Sequence, residues 1–355
     1  MKPPLEEYRA ERIAIIKPSA LGDIVHALPV LTALRQRFPA AHLAWIVNKS
    51  YEPLLAGHPD LNETIAFDRK AAQRGMRSMV LYNLRFLQEL RQRRFDLVID
   101  LQGLFRAAVM TWASGARRRV GLSTAREGAV RAYTDVVPVA DFFAIHAVDR
   151  YWLVAQALGI KQKEIRFNLP VVPAALEWAR EQLMPLPRPW LMLTVGSRWQ
   201  TKRWPVEHFA ALTREAQSRF GGTAVFLGGG DETALAQQTA AGLTGPTLDL
   251  TGRTTLPQLS AVLSLADLLV SNDTGPLHLA VALGRPIVSP YTCTRALLTG
   301  PYGRQRSVVE TKVWCAGSLV KQCSRMECMT ELTPAKLWPL VEEELSAWQT
   351  AQRCA

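Results

Sequence analysis

At 355 residues with 48% hydrophobic content, the chain exceeds the size at which one core usually keeps growing, so two domains are expected. It carries 42 Lys and Arg against 31 Asp and Glu, and the excess sits in the first half, +9 over residues 1–170 and +2 over residues 171–355. The lack of any apolar run near 18 residues and the polar, charged start argue against a membrane span and a signal peptide, so a cytoplasmic protein is expected. A basic first half suits an acidic partner, and composition alone does not choose among nucleic acid, anionic lipid and acidic glycan. Of the five cysteines, Cys315, Cys323 and Cys328 cluster without a Cys-x-x-Cys pair or a nearby histidine. They read as reduced thiols rather than as a zinc site.

In chain order, residues 12–16 (RIAII) form a short buried strand, 17–23 (KPSALGD) a turn, and 24–38 a helix with Ile24, Leu28, Leu31 and Leu34 near one face. That places Asp23 at the helix start, on the sheet edge where open α/β folds bind ligands. Capping the helix is the commoner use of an aspartate there. Strands follow at 43–47 and 95–100. Between them, residues 69–94 hold Arg69, Lys70, Arg74, Arg77, Arg85, Arg91, Arg93 and Arg94 against one acid, Glu89. One sign over this length favours an anionic ligand or surface over plain solubility. Further on, Arg126 can grip a carboxylate or phosphate with two prongs, or pair with Glu127.

The prolines at 170 and 173, then at 185, 187 and 189, mark a boundary and deliver the chain into a second α/β unit. Strand and helix alternate from residue 190 to 289, the pattern of a parallel sheet covered by helices. Two such domains facing each other across a cleft are expected: 1–172, 173–335, and a terminal helix at 336–355 packing back on the first domain. Lys202 reads as a mobile point charge suited to a diphosphate. Gly228-Gly229-Gly230-Asp231-Glu232 departs from the dinucleotide spacing, since Thr233 stands where the third glycine belongs, and no Walker lysine follows. A dehydrogenase or P-loop enzyme is therefore unsupported, while Glu232 can accept hydrogen bonds from ribose hydroxyls or serve as an ordinary first-turn acid.

The stretch 268–280 (LLVSNDTGPLHLA) runs an apolar strand straight into a helix N-terminus. Unpaired backbone N–H groups and a partial positive charge there favour phosphate. Asp273 or Thr274 can cap this helix, Gly275 allows close approach, and His278 lies in the first turn. An ordinary N-cap followed by a packed histidine is the plainer alternative.

With these motifs in place, KPSALGDIVHALPVLTAL (17–34), DLQG (100–103), TAREG (124–128), KRWPVEHF (202–209) and SNDTGPLHLAVALGRP (271–286) resemble, in order, the signatures of bacterial ADP-heptose:lipopolysaccharide heptosyltransferases. The resemblance implies the GT-B fold, with two Rossmann-like doubly wound parallel-sheet domains. It implies an inverting transfer of heptose from ADP-heptose to an acidic lipopolysaccharide inner-core acceptor, without cofactor or metal. Asp23 resembles the catalytic base and Lys202 the phosphate-binding lysine. Gly22, Ser197, Glu232, Asp273, Thr274, Gly275 and His278 fall where relatives hold the nucleotide sugar, and Ser19, Arg69, Lys70, Arg74 and Arg126 where they face the acceptor. The implied partners are the donor, an acidic glycolipid and the inner face of the cytoplasmic membrane, with no nucleic acid. The chain departs from the family in having Ala20 where a second hydroxyl is common, and in Arg198. Another GT-B transferase, a sugar-nucleotide epimerase and a non-catalytic acidic-glycan-binding protein remain as alternatives.

Overall fold

The computed structural model describes residues 3–68 and 76–354. The chain divides into two compact units, Met1–Pro170 and Val171–Ala355, two residues ahead of the expected boundary.

The first unit holds strands β1 (Arg12–Ile16), β2 (His42–Asn48), β3 (Glu63–Phe67), β4 (Leu97–Asp100), β5 (Arg118–Leu122) and β6 (Asp135–Val137). Its helices are α1 (Leu21–Arg37), α2 (Glu52–Leu55), α3 (Met76–Gln92), α4 (Phe105–Ala113) and α5 (Ala147–Ala157). The sheet is parallel in the order β3-β2-β1-β4-β5-β6. Four of the five residues of β1 are buried, as are all four of β4, because helices cover both faces of a parallel sheet. The chain order reverses between β1 and β4, which makes their carboxyl ends the natural ligand edge of this unit.

The second unit holds β7 (Trp190–Thr194), β8 (Thr223–Phe226), β9 (Thr247–Asp249), β10 (Leu268–Ser271), β11 (Ile287–Tyr291) and β12 (Val308–Glu310). Its helices are α6 (Pro173–Leu183), α7 (Val206–Phe220), α8 (Thr233–Ala241), α9 (Leu256–Ser264), α10 (Gly275–Ala282), α11 (Ala296–Thr299), α12 (Glu327–Glu331) and α13 (Pro334–Cys354). The order β12-β11-β10-β7-β8-β9 repeats the first sheet's topology, with the reversal now between β7 and β10. The terminal helix α13, expected to pack back on the first domain, buries Leu337, Val341 and Leu345 in the second unit's own core beside Trp204, Phe209 and Leu212. Among the described residues, no helix is long and apolar enough to cross a membrane.

Helix α1 begins at Leu21, three residues earlier than its apolar spacing predicts. Asp23 therefore belongs to the first helical turn, where its carboxylate accepts the Ala20 backbone N–H at 3.2 Å. An acid at the third helical position can satisfy a helix-start donor in this way, which the apolar pattern alone does not reveal.

Candidate functional site

In the first unit the turns after β1 and β4 lie side by side. Asp100, almost fully buried at the end of β4, accepts the Gln102 and Gly103 N–H groups on one oxygen at 2.8 and 2.9 Å. Its other oxygen accepts the Tyr133 hydroxyl at 2.8 Å. Burial raises the Asp100 carboxyl above the usual carboxylate range, against the pull of these hydrogen bonds. Gly103 adopts φ +64°, and a Cβ there would sit 3.1 Å from Ala125, so the DLQG turn needs glycine to meet the loop carrying Arg126. That loop is tied down by Arg126 N–H donating to the Gly103 carbonyl at 2.8 Å.

The alternative pairing of Arg126 with Glu127 is not what holds this loop. Glu127 accepts the Phe105 N–H at 3.0 Å, at the start of α4. Among the described residues the exposed Arg126 guanidinium has no ion-pair partner. Ser19 is half-buried in the turn before α1, and Gly22 lies in the first turn of α1 beside Asp23.

Sequence reading missed Lys17. It is buried, donates to the Leu101 carbonyl at 3.1 Å and lies 4.9 Å from the Tyr151 ring centroid. Burial by itself would lower its pKa, yet Tyr151, Asp23 and Asp100 outweigh that and raise it, so a fixed positive charge stands behind Asp23. Tyr133→Phe, which strips the donor from a buried Asp100 oxygen, is expected to cost about 1–3 kcal/mol in urea denaturation.

Arg69, Lys70 and Arg74 lie outside the described residues. Of the remaining basic segment, Arg93 is committed to Glu63 and Glu89, so it belongs to local structure rather than to a free positive face. Arg77, Arg85, Arg91 and Arg94 are exposed.

In the second unit the turns after β7 and β10 are stapled by Asn272. Fully buried, it accepts the Trp204 N–H at 3.0 Å and donates to the Val195 and Gly196 carbonyls at 2.9 and 3.2 Å. Of the two residues able to cap α10, Asp273 and Thr274, neither gives it a side-chain capping bond. Thr274 occupies the cap position with no side-chain hydrogen bond to the helix, and its hydroxyl turns back to the Asn272 carbonyl at 3.3 Å. The helix start is thus left without a side-chain cap, with Gly275 and Pro276 as its first residues.

Asp273 instead forms the centre of a buried cluster. One oxygen accepts from Lys202 Nζ at 2.5 Å and from the Thr294 hydroxyl at 2.7 Å. The other accepts the Tyr291 hydroxyl at 3.0 Å and lies 3.6 Å from His278 Nε2. Burial would raise this carboxyl, but His278 and Lys202 overcome it and hold Asp273 well below the usual carboxylate range. Lys202 is therefore fixed rather than mobile, in a short 3-10 turn and 4.7 Å from the Trp199 ring centroid. An ammonium has three donors, so the ion pair leaves capacity for a phosphate oxygen. Tyr291 and Thr294 carried no sequence signal, because they reach Asp273 only once β11 lies beside β10.

Glu232 closes the other side of the same edge. Its carboxylate accepts the Gly229 N–H at 3.0 Å, and burial raises its pKa. A Cβ on Gly196 would fall 2.1 Å from that carboxyl, and one on Gly228 would fall 2.3 Å from it, so both glycines leave room for Glu232. Ser197 is buried, with its carbonyl accepting from Arg203. Among the described residues no group of three or more His, Cys, Asp or Glu side chains could hold a metal ion.

Two doubly wound parallel sheets with this repeated order make the fold that of the GT-B glycosyltransferases. The glycosyl transferase family 9 protein from Veillonella parvula superposes with a TM-score of 0.80 at 23% identity, covering 96% of this chain and 99% of that one. The E. coli heptosyltransferase WaaC, solved with ADP, superposes with a TM-score of 0.75 at 25% identity, covering 94% and 99%. In sequence, the lipopolysaccharide heptosyltransferase 1 of Pseudomonas aeruginosa is 32% identical over 371 aligned positions, covering 96% of this chain and 99% of the relative. Residues 83–329 match glycosyltransferase family 9 (heptosyltransferase). The chain belongs to that family and is a glycosyltransferase.

Proposed function

We propose that the chain transfers heptose from ADP-heptose to an acidic acceptor of the lipopolysaccharide inner core, in one inverting displacement without a metal, as a cytoplasmic enzyme working against the inner membrane face. The observation that carries this reading is the convergence of Lys202 and the uncapped start of α10 on one turn, with the Glu232 carboxyl against Gly196 of the adjoining turn. That set offers a cation and backbone N–H groups for a diphosphate and a hydrogen-bond acceptor for ribose hydroxyls.

In the proposed reaction Asp23 takes the proton of the acceptor hydroxyl as its oxygen attacks the anomeric carbon. The new C–O bond forms as the bond to the diphosphate breaks on the opposite face, and ADP carries away the electron pair. Lys202, His278 and the α10 N-terminus receive the growing charge. Gly22, Ser197, Asp273, Thr274 and Gly275 shape the donor site in this proposal, while Ser19 and Arg126 face the acceptor. Arg69, Lys70 and Arg74 complete the acceptor side of this proposal. An epimerase would need no acceptor and leaves Asp23 and Arg126 without a task.

The test is thermal stabilisation by a panel of nucleotide sugars. At a concentration about 100 times Kd, the true donor stabilises by roughly 2.7 kcal/mol, or roughly 5–10 °C for a unit of this size. ADP-heptose is expected to give that shift; a shift with UDP- or GDP-sugars alone would overturn the donor assignment. Glu232→Gln is expected to raise the donor KM about tenfold, as one charge-assisted hydrogen bond weakens. It should cost no stability at neutral pH. A carboxyl whose folded pKa is raised gives stability that is full below the unfolded pKa and is lost as pH rises through the folded value.

A further inference from the structure

We propose that the outward stripe of α3, joined by the aromatic face of α4, is the surface on which the first unit docks to an anionic lipid bilayer. This names the membrane-contacting surface for the reading above and rests on it for its biological setting only.

Helix α3 is apolar on two opposite sides. Phe86 and Leu90 enter the core, whereas Val80, Leu81 and Leu84 are 46%, 55% and 58% exposed. At about 100° per residue the exposed three form one stripe facing away from Phe86 and Leu90. An ordinary surface helix carries polar residues on that side. Here the stripe is instead continued by Arg77 and bordered by Arg85, both exposed.

Helix α4 packs against α3 and adds two exposed aromatics on one of its own faces, Phe105 at 63% and Trp112 at 69%. The two helices are knit through Phe67, whose ring lies 5.2 Å from Phe86 and beneath the Arg106 guanidinium at 5.6 Å. Beside Phe105 and Trp112 an open groove continues over Ala108, Val109 and Ala132 to Arg131, with Glu127, which is bonded to the Phe105 N–H, also lining it.

Aliphatic side chains flanked by arginine, with Trp and Phe alongside, match the layered chemistry of a bilayer interface. The apolar groups enter the acyl boundary, the aromatics sit at headgroup level, and the guanidinium groups meet lipid phosphates. A second copy of the chain fits this surface less well. A two-fold contact through the stripe would set Arg77 and Arg85 against the same patch of another basic chain, and Glu89, the one acid of α3, is already paired with Arg93.

The experiment is vesicle co-sedimentation of the full chain with neither donor nor acceptor present, so its outcome is independent of the transfer reaction. Vesicles of phosphatidylcholine with one quarter phosphatidylglycerol are compared with phosphatidylcholine alone. Wild type is expected to bind the anionic vesicles, and Leu81→Ser/Leu84→Ser to bind at least tenfold more weakly. Arg77→Gln/Arg85→Gln should lose about fivefold per arginine on anionic vesicles alone. The Leu81→Ser/Leu84→Ser protein should retain the wild-type melting temperature and full transfer to a delipidated, water-soluble acceptor, since both side chains are exposed. Absence of wild-type binding, or equal binding by the leucine variant, would overturn the proposal. So would a concentration-dependent dimer in sedimentation velocity that the leucine changes abolish, because the stripe would then serve a second copy.

Discussion

Asp23→Asn is expected to lower kcat by about 10²–10⁴ while leaving donor affinity unchanged, the loss typical of removing a general base. The substitution separates two roles that one carboxylate holds. In the structure Asp23 accepts the Ala20 N–H in the first turn of α1, and an asparagine oxygen can accept the same bond. The helix start is therefore kept, and what is lost is the capacity to take a proton from the acceptor. Donor titration by calorimetry and turnover by ADP release measure the two parts separately. Full turnover in Asp23→Asn would leave Asp23 as a helix-start residue alone and remove it from the reaction.

Lys202→Met is expected to combine a large loss of donor affinity and turnover with a loss of stability of about 3 kcal/mol. Removing one partner of a buried ion pair strands the other charge, at a typical cost of about 3–5 kcal/mol. The lower end applies because His278, Tyr291 and Thr294 still face Asp273. For a unit of this size the melting temperature should fall by roughly 6–12 °C. A second change distinguishes the two effects: Lys202→Met/Asp273→Asn removes the stranded anion and should recover most of the stability, but none of the donor binding. If the double variant regains both, Lys202 acts only by satisfying Asp273. The pH dependence has the matching sign. Asp273 has its pKa lowered by folding, so its stabilisation is present above the unfolded carboxyl pKa and is lost as pH falls toward the depressed folded value. In wild type the cluster should thus resist mild acid.

The parts of the fold that could be read directly from residues were those where one short pattern decides the outcome. Strands β1 and β10 occupy the expected residues, because a fully buried parallel strand is an apolar run cut off by a polar turn. Strands β6 and β12 have three residues each and lie at sheet edges, too short for any periodic signal. The start of α1 was placed late because Leu21 and Gly22 give no helix-start pattern; the bond that begins the helix comes from Asp23 behind them.

The site divides along the same line. Its turns were visible as strand ends followed by Gly, Ser, Asn and Asp, and the family resemblance supplied an order for them. The partners of those turns were not visible. Tyr133 meets Asp100 from 33 residues away, and Tyr291 and Thr294 reach Asp273 from 18 and 21 residues away. Such pairs follow from sheet order, which a local reading does not supply. Asp273 shows the same limit: as an isolated residue before a helix it can serve as a cap, and only its neighbours across the sheet make it the anchor of Lys202.

The most direct measurement is mass spectrometry of a heptose-deficient lipopolysaccharide inner-core acceptor after incubation with the chain and a nucleotide sugar. With ADP-heptose the account predicts a mass gain of one heptose on the acceptor, one ADP released per heptose added, and loss of both signals in Asp23→Asn. An acceptor left unmodified by ADP-heptose but modified by a different sugar nucleotide, or a mass gain that persists undiminished in Asp23→Asn, would contradict it.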